Sequence, residues 1–137
     1  GPDEPADSAR AKAQAGPAAA MILHDMVEAD FFGTLGYRIP EALRPLLDEY
    51  KLIYEAYEPE DARYLSVHRG HLMILRPEEE HMIGGEMIKA LSFTATAPEL
   101  RERIQELDES GYSQISFHIR YGQDHTVEEW AELVGLI

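Results

Sequence analysis

The sequence predicts an α/β fold, because two β-prone stretches in its C-terminal half flank a helical pattern. The first stretch, SFTAT at residues 92–96, contains the aromatic and β-branched side chains that favour a pleated strand. The second stretch, SQISFHI at residues 113–119, follows a glycine that ends the helical pattern. Strand, helix and strand in this order form a βαβ unit with parallel strands. Parallel sheets are buried on both faces, so further strands and a covering layer are expected.

The helix between the two stretches has a recognisable start and end. Thr96 and Glu99 have the spacing of a capping box, and Pro98 fits the first helical turn, where its missing N–H costs no hydrogen bond. Gly111 can adopt the left-handed conformation that ends a helix. One face of the pattern is apolar and consists of Leu100, Ile104 and Leu107. These features predict a helix over residues 96–111.

The chain before residue 91 is predicted to be mostly helical. An alanine-rich helix over residues 7–16 is expected to stop or kink at Pro17, and a second helix is expected over residues 17–30. A third helix is predicted over residues 40–58, where apolar side chains follow the helical period. Pro45 allows that helix to start a few residues later.

The middle and the end of the chain give weaker patterns. Residues 62–77 could form a strand or a buried loop, with a turn at Gly70. Residues 77–91 predict a helix weakened by two consecutive glycines, each costing about 1 kcal/mol relative to alanine. Residues 125–137 predict a helix whose apolar stripe consists of Val127, Trp130, Leu133, Val134 and Ile137.

Charge and composition exclude several classes of partner. The chain has 137 residues and a net charge of −14, so neither nucleic acid nor an anionic membrane surface is expected to bind it. It contains no cysteine, which suits a reducing compartment such as the cytoplasm. Its longest apolar run, residues 15–23, is too short to span a bilayer, and no leader pattern precedes it. Residues 1–2 are typical of a cloning scar, and residues 3–137 are predicted to form one α/β segment.

The stretch SFTATAPELRERIQELDESGYSQISF resembles the closing β7-α7-β8 portion of luciferase-like flavin-dependent oxidoreductases. DEPADSARAKAQAGPAAAMILHDMVE, ARYLSVHRGHLMILRPEE and EEWAEL are similar to the C-terminal part of bacterial members of that family. The turn TATAPE stands where the family more commonly has Gly-Thr-Pro-Glu. The resemblance implies the helix-rich C-terminal half of a (β/α)₈ TIM barrel, since a whole barrel takes about 250 residues. A complete small α/β domain is the alternative fold.

The resemblance also implies a function. The chain would be the C-terminal segment of an oxidoreductase or monooxygenase that uses FMN or a deazaflavin coenzyme and acts on a small-molecule substrate. Earlier strands carry much of the flavin surface in that family, so the isolated segment is expected not to be catalytic. Open sheet edges favour association, and we expect a dimer or larger species with Trp130 as its anchor. The alternative function is a non-enzymatic oligomeric scaffold or a small interaction domain.

Six residues are candidates for binding a cofactor or substrate. In the HRGH motif, Arg69 could hold an anionic group between His68 and His71; alternatively, one histidine caps a buried carbonyl while the arginine pairs with a carboxylate. Thr94 and Thr96 end the first predicted strand beside free helix amides that suit a phosphate, although capping alone explains Thr96. In the second predicted strand, His118 could face a cofactor or be a structural histidine.

No metal site is predicted. His68, His71 and His81 could in principle share a metal ion, but no carboxylate lies at a diagnostic spacing from them. The family resemblance implies no metal either. His24 is expected on a solvated helix face with the neighbouring carboxylates of Asp25 and Glu28.

Overall fold

A computed structural model describes residues 3–33, 39 and 41–135 of the chain, and its regular elements there are all helical. The predicted α/β class, including the partial (β/α)₈ barrel, is wrong, because the described residues form helices, turns and irregular segments but no strand. Short 3₁₀ turns occupy Glu41–Leu43, Glu60–Ala62 and Glu80–Met82. The α-helices are α1 (Ala9–Phe32), α2 (Arg44–Glu55), α3 (Arg63–Val67), α4 (Gly85–Leu91), α5 (Ala97–Glu109) and α6 (Thr126–Leu133).

The two β-prone stretches lack the partners that a strand needs. Residues 113–119 are almost entirely exposed, and their backbone groups form no hydrogen bond with any other described backbone group. Residues 93–96 are likewise neither helical nor paired. Preference for a strand depends on packing against neighbouring strands, so β-prone side chains alone do not produce a ladder.

Helix α1 continues through Pro17, so the predicted stop at this residue is wrong. Proline removes one hydrogen bond from a helix interior and normally kinks or breaks it. Here the small residues around Pro17 are buried, and the side chain of Leu75 lies so close to Gly16 that an added Cβ would sit 2.9 Å from it. Packing of this small-residue face therefore holds the helix together where local preference would break it.

The core lies along one face of α1. This helix packs against α2 and α4, while α5 packs against α6. An ion pair between Arg10 and Glu129, at 3.0 Å, joins α1 to α6. None of the described helices is long and apolar enough to cross a membrane. Fully buried core side chains include Ala19, Leu23, Met26, Val27, Leu47, Tyr50, Val67, Ile83 and Ile88.

Several predicted helix ends are confirmed. The carboxylate of Glu99 accepts hydrogen bonds from the backbone N–H of Thr96, at 2.7 Å, and from its hydroxyl, at 2.6 Å, so α5 starts where the capping pattern places it. Pro45 lies in the first turn of α2, which begins late as expected. The predicted helix over residues 77–91 is shortened to a 3₁₀ turn and α4, with Gly84 as the N-cap. Predictions that involve residues 1–2, Pro40 and Ile137 fall outside the described residues.

Candidate metal centre

Three histidine side chains converge between α1 and the turn that follows α3. The Nδ1 atom of His71 lies 3.3 Å from Nδ1 of His24 and 3.2 Å from Nδ1 of His68. One ring nitrogen from each of the three residues lies within 4.8 Å of the others. We call His24, His68 and His71 the histidine cluster. Such a group of nitrogen donors is the ligand type that zinc and related metal ions prefer.

Two separate parts of the chain supply the cluster. His24 lies on the buried face of α1 and is 4% exposed. His68 is the C-cap of α3, and His71 follows in a turn in which its N–H donates to the carbonyl of His68 at 3.0 Å. Gly70 permits this turn because its φ is +72°, in the left-handed region. The turn thus brings the two histidines to the same side, facing α1.

The same turn contains an unusual backbone conformation. Leu72 has a φ of 61°, a left-handed value that residues with a side chain rarely adopt. The N–H groups of Met73 and Ile74 both donate to the carbonyl of Gly70, at 2.9 and 3.0 Å, and these bonds hold the turn closed. Strained residues of this kind cluster at functional sites, where the surrounding structure enforces them. The strain at Leu72 lies directly beside His71.

Carboxylates orient two of the three rings from behind. Nε2 of His24 lies 2.6 Å from Oε1 of Glu79, and Nε2 of His68 lies 3.0 Å from Oε1 of Glu28. An ionised carboxylate only accepts hydrogen bonds, so each Nε2 is the donor. In the neutral ring the Nδ1 atom then carries the lone pair, which faces His71. Metal-binding histidines are held in this way, with the outer N–H donated to a carboxylate.

The spacing of the inner nitrogens suits a metal ion. The single Nδ1 of His71 can donate to one neighbour at most, so its contacts with both other Nδ1 atoms cannot both be hydrogen bonds. Ligand nitrogens on a tetrahedral zinc ion, with Zn–N bonds of about 2.0–2.1 Å, lie about 3.3–3.4 Å apart. The observed Nδ1–Nδ1 distances of 3.2 and 3.3 Å match this nitrogen–nitrogen distance. A cation at the centre would satisfy all three lone pairs together.

A buried polar network fixes Glu79 behind the cluster. Its Oε1 accepts from Tyr50 at 2.8 Å and from Nη2 of Arg76, in addition to His24. Burial alone would raise the pKa of the Glu79 carboxyl, but these hydrogen bonds outweigh it and lower the pKa from 4.5 to about 2. Arg76 also donates to the carbonyl of Ser66 at 2.6 Å. The carboxylate is therefore charged and immobilised at neutral pH.

The electrostatic surroundings favour a cation over an anion. Burial lowers the pKa of His71, and its two histidine neighbours lower it further. The carboxylates of Asp25 and Glu28 act on the same ring in the opposite direction. Glu28 and Glu79 contact the other two rings directly. Carboxylates behind two of the rings therefore favour a cation at the centre of the cluster, and the charge of Glu79 is shared between His24 and Arg76.

The structure brings together only two of the six predicted site residues, His68 and His71. The side chain of Arg69 is exposed and forms no hydrogen bond or ion pair with a described residue, so the carboxylate partner of the alternative is not found there, and its binding of an anionic group stays a prediction. The Thr94 hydroxyl lies 2.6 Å from that of Ser92, and Thr96 caps α5. His118 is exposed, with its Nδ1 2.9 Å from Arg120. In the described part, no hydrogen bond or ring contact links the last three predicted residues to the cluster.

Sequence reasoning missed His24, and its predicted position on a solvated face is wrong because the ring is buried. His81, the third histidine that could have shared a metal ion with the HRGH motif, instead pairs with Glu49 at 2.9 Å on the surface. Two short spacings were visible in the sequence. His24 and Glu28 are four residues apart on one helix face, and His68 and His71 are three residues apart. Nothing in the sequence indicated that these two pairs meet.

A substitution of Gly70 tests whether the turn positions the cluster. Gly70→Ala is expected to destabilise the turn by about 1–2 kcal/mol, because a Cβ is strained at this left-handed φ and would fall on the side chain of Ile74. Chemical denaturation would measure the loss. The matched control is Gly85→Ala, because this residue lies inside α4, where alanine is favoured over glycine, its φ is not left-handed, and its Cβ would meet no atom closer than 3.4 Å. Equal effects of both substitutions would contradict a special role for the turn.

Comparisons with known proteins add no assignment for this site. No protein-family model, curated protein or solved structure matches the chain.

Proposed function

We propose that the protein binds a divalent transition-metal ion, with zinc the best fit, through Nδ1 of His24, His68 and His71. The observation that carries the proposal is the convergence of the three histidines, with Nδ1 of His71 within 3.3 Å of Nδ1 of both others, and with a carboxylate behind two of the rings. Imidazole ligands suit zinc, copper, iron and nickel, whereas magnesium and calcium prefer oxygen ligands. The chain has no cysteine, so no thiolate competes for the metal.

Three protein ligands leave a coordination position open. No further histidine, aspartate or glutamate joins the cluster as a fourth ligand among the described residues. A four-coordinate zinc ion with three protein ligands holds water or substrate in the fourth position, which is the arrangement of catalytic sites. Water bound in this way has a pKa of about 7 and acts as a nucleophile near neutral pH. The side chain of His68 is 39% exposed, so the cluster is accessible from solvent.

Direct metal titration tests the proposal. Zinc competition against a chromogenic chelator should give one site per chain in the parent protein and none in His71→Ala. His71 is only partly buried, so its removal should leave the fold intact. His81→Ala is the control, because this exposed histidine pairs with Glu49 away from the cluster. A stoichiometry well below one, or binding that survives in His71→Ala, would refute the site.

The carboxylate behind His68 provides a graded test. Glu28→Gln is expected to weaken zinc binding by about 10–100-fold, the usual cost of losing a carboxylate behind a metal ligand. The neutral side-chain amide of the glutamine is a weaker acceptor than the Glu28 carboxylate for the N–H at Nε2 of His68, so the ring is held less firmly. Glu49→Gln, which changes the carboxylate that contacts His81, should leave the affinity unchanged. Equal affinities for the parent and Glu28→Gln would show that Glu28 does not support a metal ligand.

The flavin-linked activity implied by the family resemblance stays a prediction. Its barrel architecture is not carried forward, because the described chain is helical. The predicted dimer and the cytoplasmic location also stay predictions. Exposed apolar residues on α6 and at its C-cap, Val127 at 57% and Val134 at 46%, are compatible with self-association. Trp130 itself stacks on Phe117 within the chain, with ring centroids 3.8 Å apart.

A further inference from the structure

An open groove of about 920 Å³ lies between α5, the segment that follows it, and α6. All three parts of the chain contribute to its apolar lining, and none of the lining residues belongs to the histidine cluster. The groove is therefore a second feature of the molecule, separate from the candidate metal centre. Its apolar lining residues are Ile104, Leu107, Ile115, Phe117, Leu133 and Val134.

The apolar side chains of the groove are not covered by the rest of the described chain. Helix α5 has a helical apolar face that includes Ile104 and Leu107, yet none of its residues is buried. The hydrophobic core cluster of the described residues is built within residues 15–88 and takes no side chain from α5 or α6. Apolar surface of this kind, edged by polar side chains, is typical of a binding surface.

The segment at residues 113–119 offers unpaired backbone groups beside the groove. Ile115 and Phe117 line the groove, whereas Ser116 and His118 do not, and this alternation is that of an extended backbone. The backbone N–H and C=O groups of residues 113–119 form no hydrogen bond with any other described backbone group. An extended peptide can pair with such a segment, so that main-chain hydrogen bonds supply affinity and alternate side chains enter the neighbouring pocket.

The charge around the groove favours a basic occupant. Helices α5 and α6 together carry eight acidic and two basic side chains, and Asp108 and Glu132 line the groove itself. The basic lining residue Arg101 donates from Nε to the backbone carbonyl of Leu133 at 3.0 Å, which joins the two helices. A second copy of the chain would bring a net charge of −14 against the same acidic helices, whereas a basic partner is attracted to them.

We propose that this groove binds an extended, basic peptide segment of a partner protein. The peptide pairs with the backbone of residues 113–119 and places alternate apolar side chains between α5 and α6. Its lysine or arginine side chains meet the acidic surface of the two helices. This inference does not depend on metal binding, because the histidine cluster lies outside the groove.

A synthetic peptide tests the groove in the full chain. The probe is a fluorescein-labelled peptide of alternating lysine and valine, as long as residues 113–119 and capped at both ends. Fluorescence anisotropy in about 0.15 M salt, which screens distant charges, should show saturable binding to one site. Replacement of the lysines by glutamate should abolish binding. Two further peptides, N-methylated at one or the other set of alternate residues, keep the charge, and at least one should bind at least about tenfold more weakly because backbone donors are lost.

Matched variants locate the binding. Ile115→Ser should weaken binding several-fold, because it removes an apolar side chain from the groove, and Ile115 is 37% exposed, so the fold should be retained. Leu52→Ser, which changes a 69% exposed apolar residue on α2, should leave the affinity unchanged. If Ile115→Ser does not fold, deuterium exchange of the parent decides: the peptide should slow exchange at residues 113–119 at least about tenfold and leave α2 unchanged.

Four outcomes would overturn the proposal. They are the absence of saturable binding, equal binding of the glutamate peptide, equal binding of both N-methylated peptides, and binding without protection of residues 113–119 from exchange. Protection of these residues that rises with protein concentration in the absence of peptide would assign the groove to a second copy of the chain, and it would equally reject a peptide of a partner protein as the occupant.

Discussion

Glu79→Ala is expected to destabilise the fold by about 3–5 kcal/mol, because it leaves the buried charge of Arg76 with only a longer contact to the partly exposed Glu78. The same carboxylate oxygen also accepts from His24 and Tyr50, so three buried donors lose their acceptor at once. Each buried unsatisfied group adds its desolvation cost. Urea denaturation followed by circular dichroism would measure the loss.

The neighbouring acidic residue provides the control. Glu78 is partly exposed and accepts only a 3.2 Å hydrogen bond from Tyr57, in addition to a 3.7 Å ion pair with Arg76. Glu78→Ala should therefore cost at most about 1 kcal/mol, the range of a partly exposed pair. Similar losses for the two variants would show that the buried network around Glu79 does not dominate the stability of this region.

The same carboxylate gives a pH dependence with a definite sign. The folded pKa of Glu79 is lowered from 4.5 to about 2, since the hydrogen bonds it accepts outweigh its burial. Its contribution to stability is therefore complete above pH 4.5 and is lost as the pH falls from 4.5 towards 2. Glu79→Gln should flatten the stability profile in this window while keeping the shape of the side chain. An unchanged slope in the variant would assign acid denaturation to other groups.

Zinc is expected to stabilise the folded protein by about 2.7 kcal/mol when the free ion is at 100 times the dissociation constant. The histidine cluster joins α1 to the turn after α3, and this arrangement is absent from the unfolded chain. Thermal unfolding with and without zinc would measure the gain. His71→Ala should remove it and His81→Ala should retain it. A zinc-induced gain that is equal in both variants would place the metal outside the cluster.

Acid should reduce this stabilisation. Histidine must be neutral to bind a metal ion, so protons compete below about pH 6.5, its ordinary pKa. Burial and the two neighbouring histidines lower the pKa of His71, which keeps this ligand available at somewhat lower pH. The zinc-induced gain should therefore be full near pH 7.5 and much smaller near pH 5. A gain that is constant over this range would argue against histidine ligands.

Features set by neighbours in sequence could be predicted, and features set by distant contacts could not. The cap formed by Thr96 and Glu99 depends on residues three positions apart, and it is found as expected. The continuity of α1 through Pro17 depends on Leu75, far away in the chain, and local rules predict a break. The predicted strands depended on pairing partners that the described chain does not provide.

The candidate metal centre shows the same division. The HRGH motif marked His68 and His71 as binding residues, because a glycine between chemically versatile side chains is visible in the sequence, but it marked them for an anionic group and not for a metal ion. The third ligand lies more than 40 positions earlier, on a helix face whose burial depends on how α1 packs. Glu28 lies 40 positions from the His68 ring that it contacts, and Glu79 lies 55 positions from His24. The short spacings of His24 with Glu28 and of His68 with His71 are visible in the sequence, but nothing there shows that the two pairs meet.

The unpaired stretch at residues 113–119 also determines how solvent reaches the chain. Its amide hydrogens have no backbone acceptors, so they should exchange with deuterium within seconds, while the amides inside α1 stay protected for far longer. The segment is mostly exposed and carries Ile115 and Phe117, which a protease with a preference for large apolar side chains can cleave without global unfolding. The first cut of limited proteolysis is therefore expected between α5 and α6, leaving the histidine cluster on the N-terminal fragment.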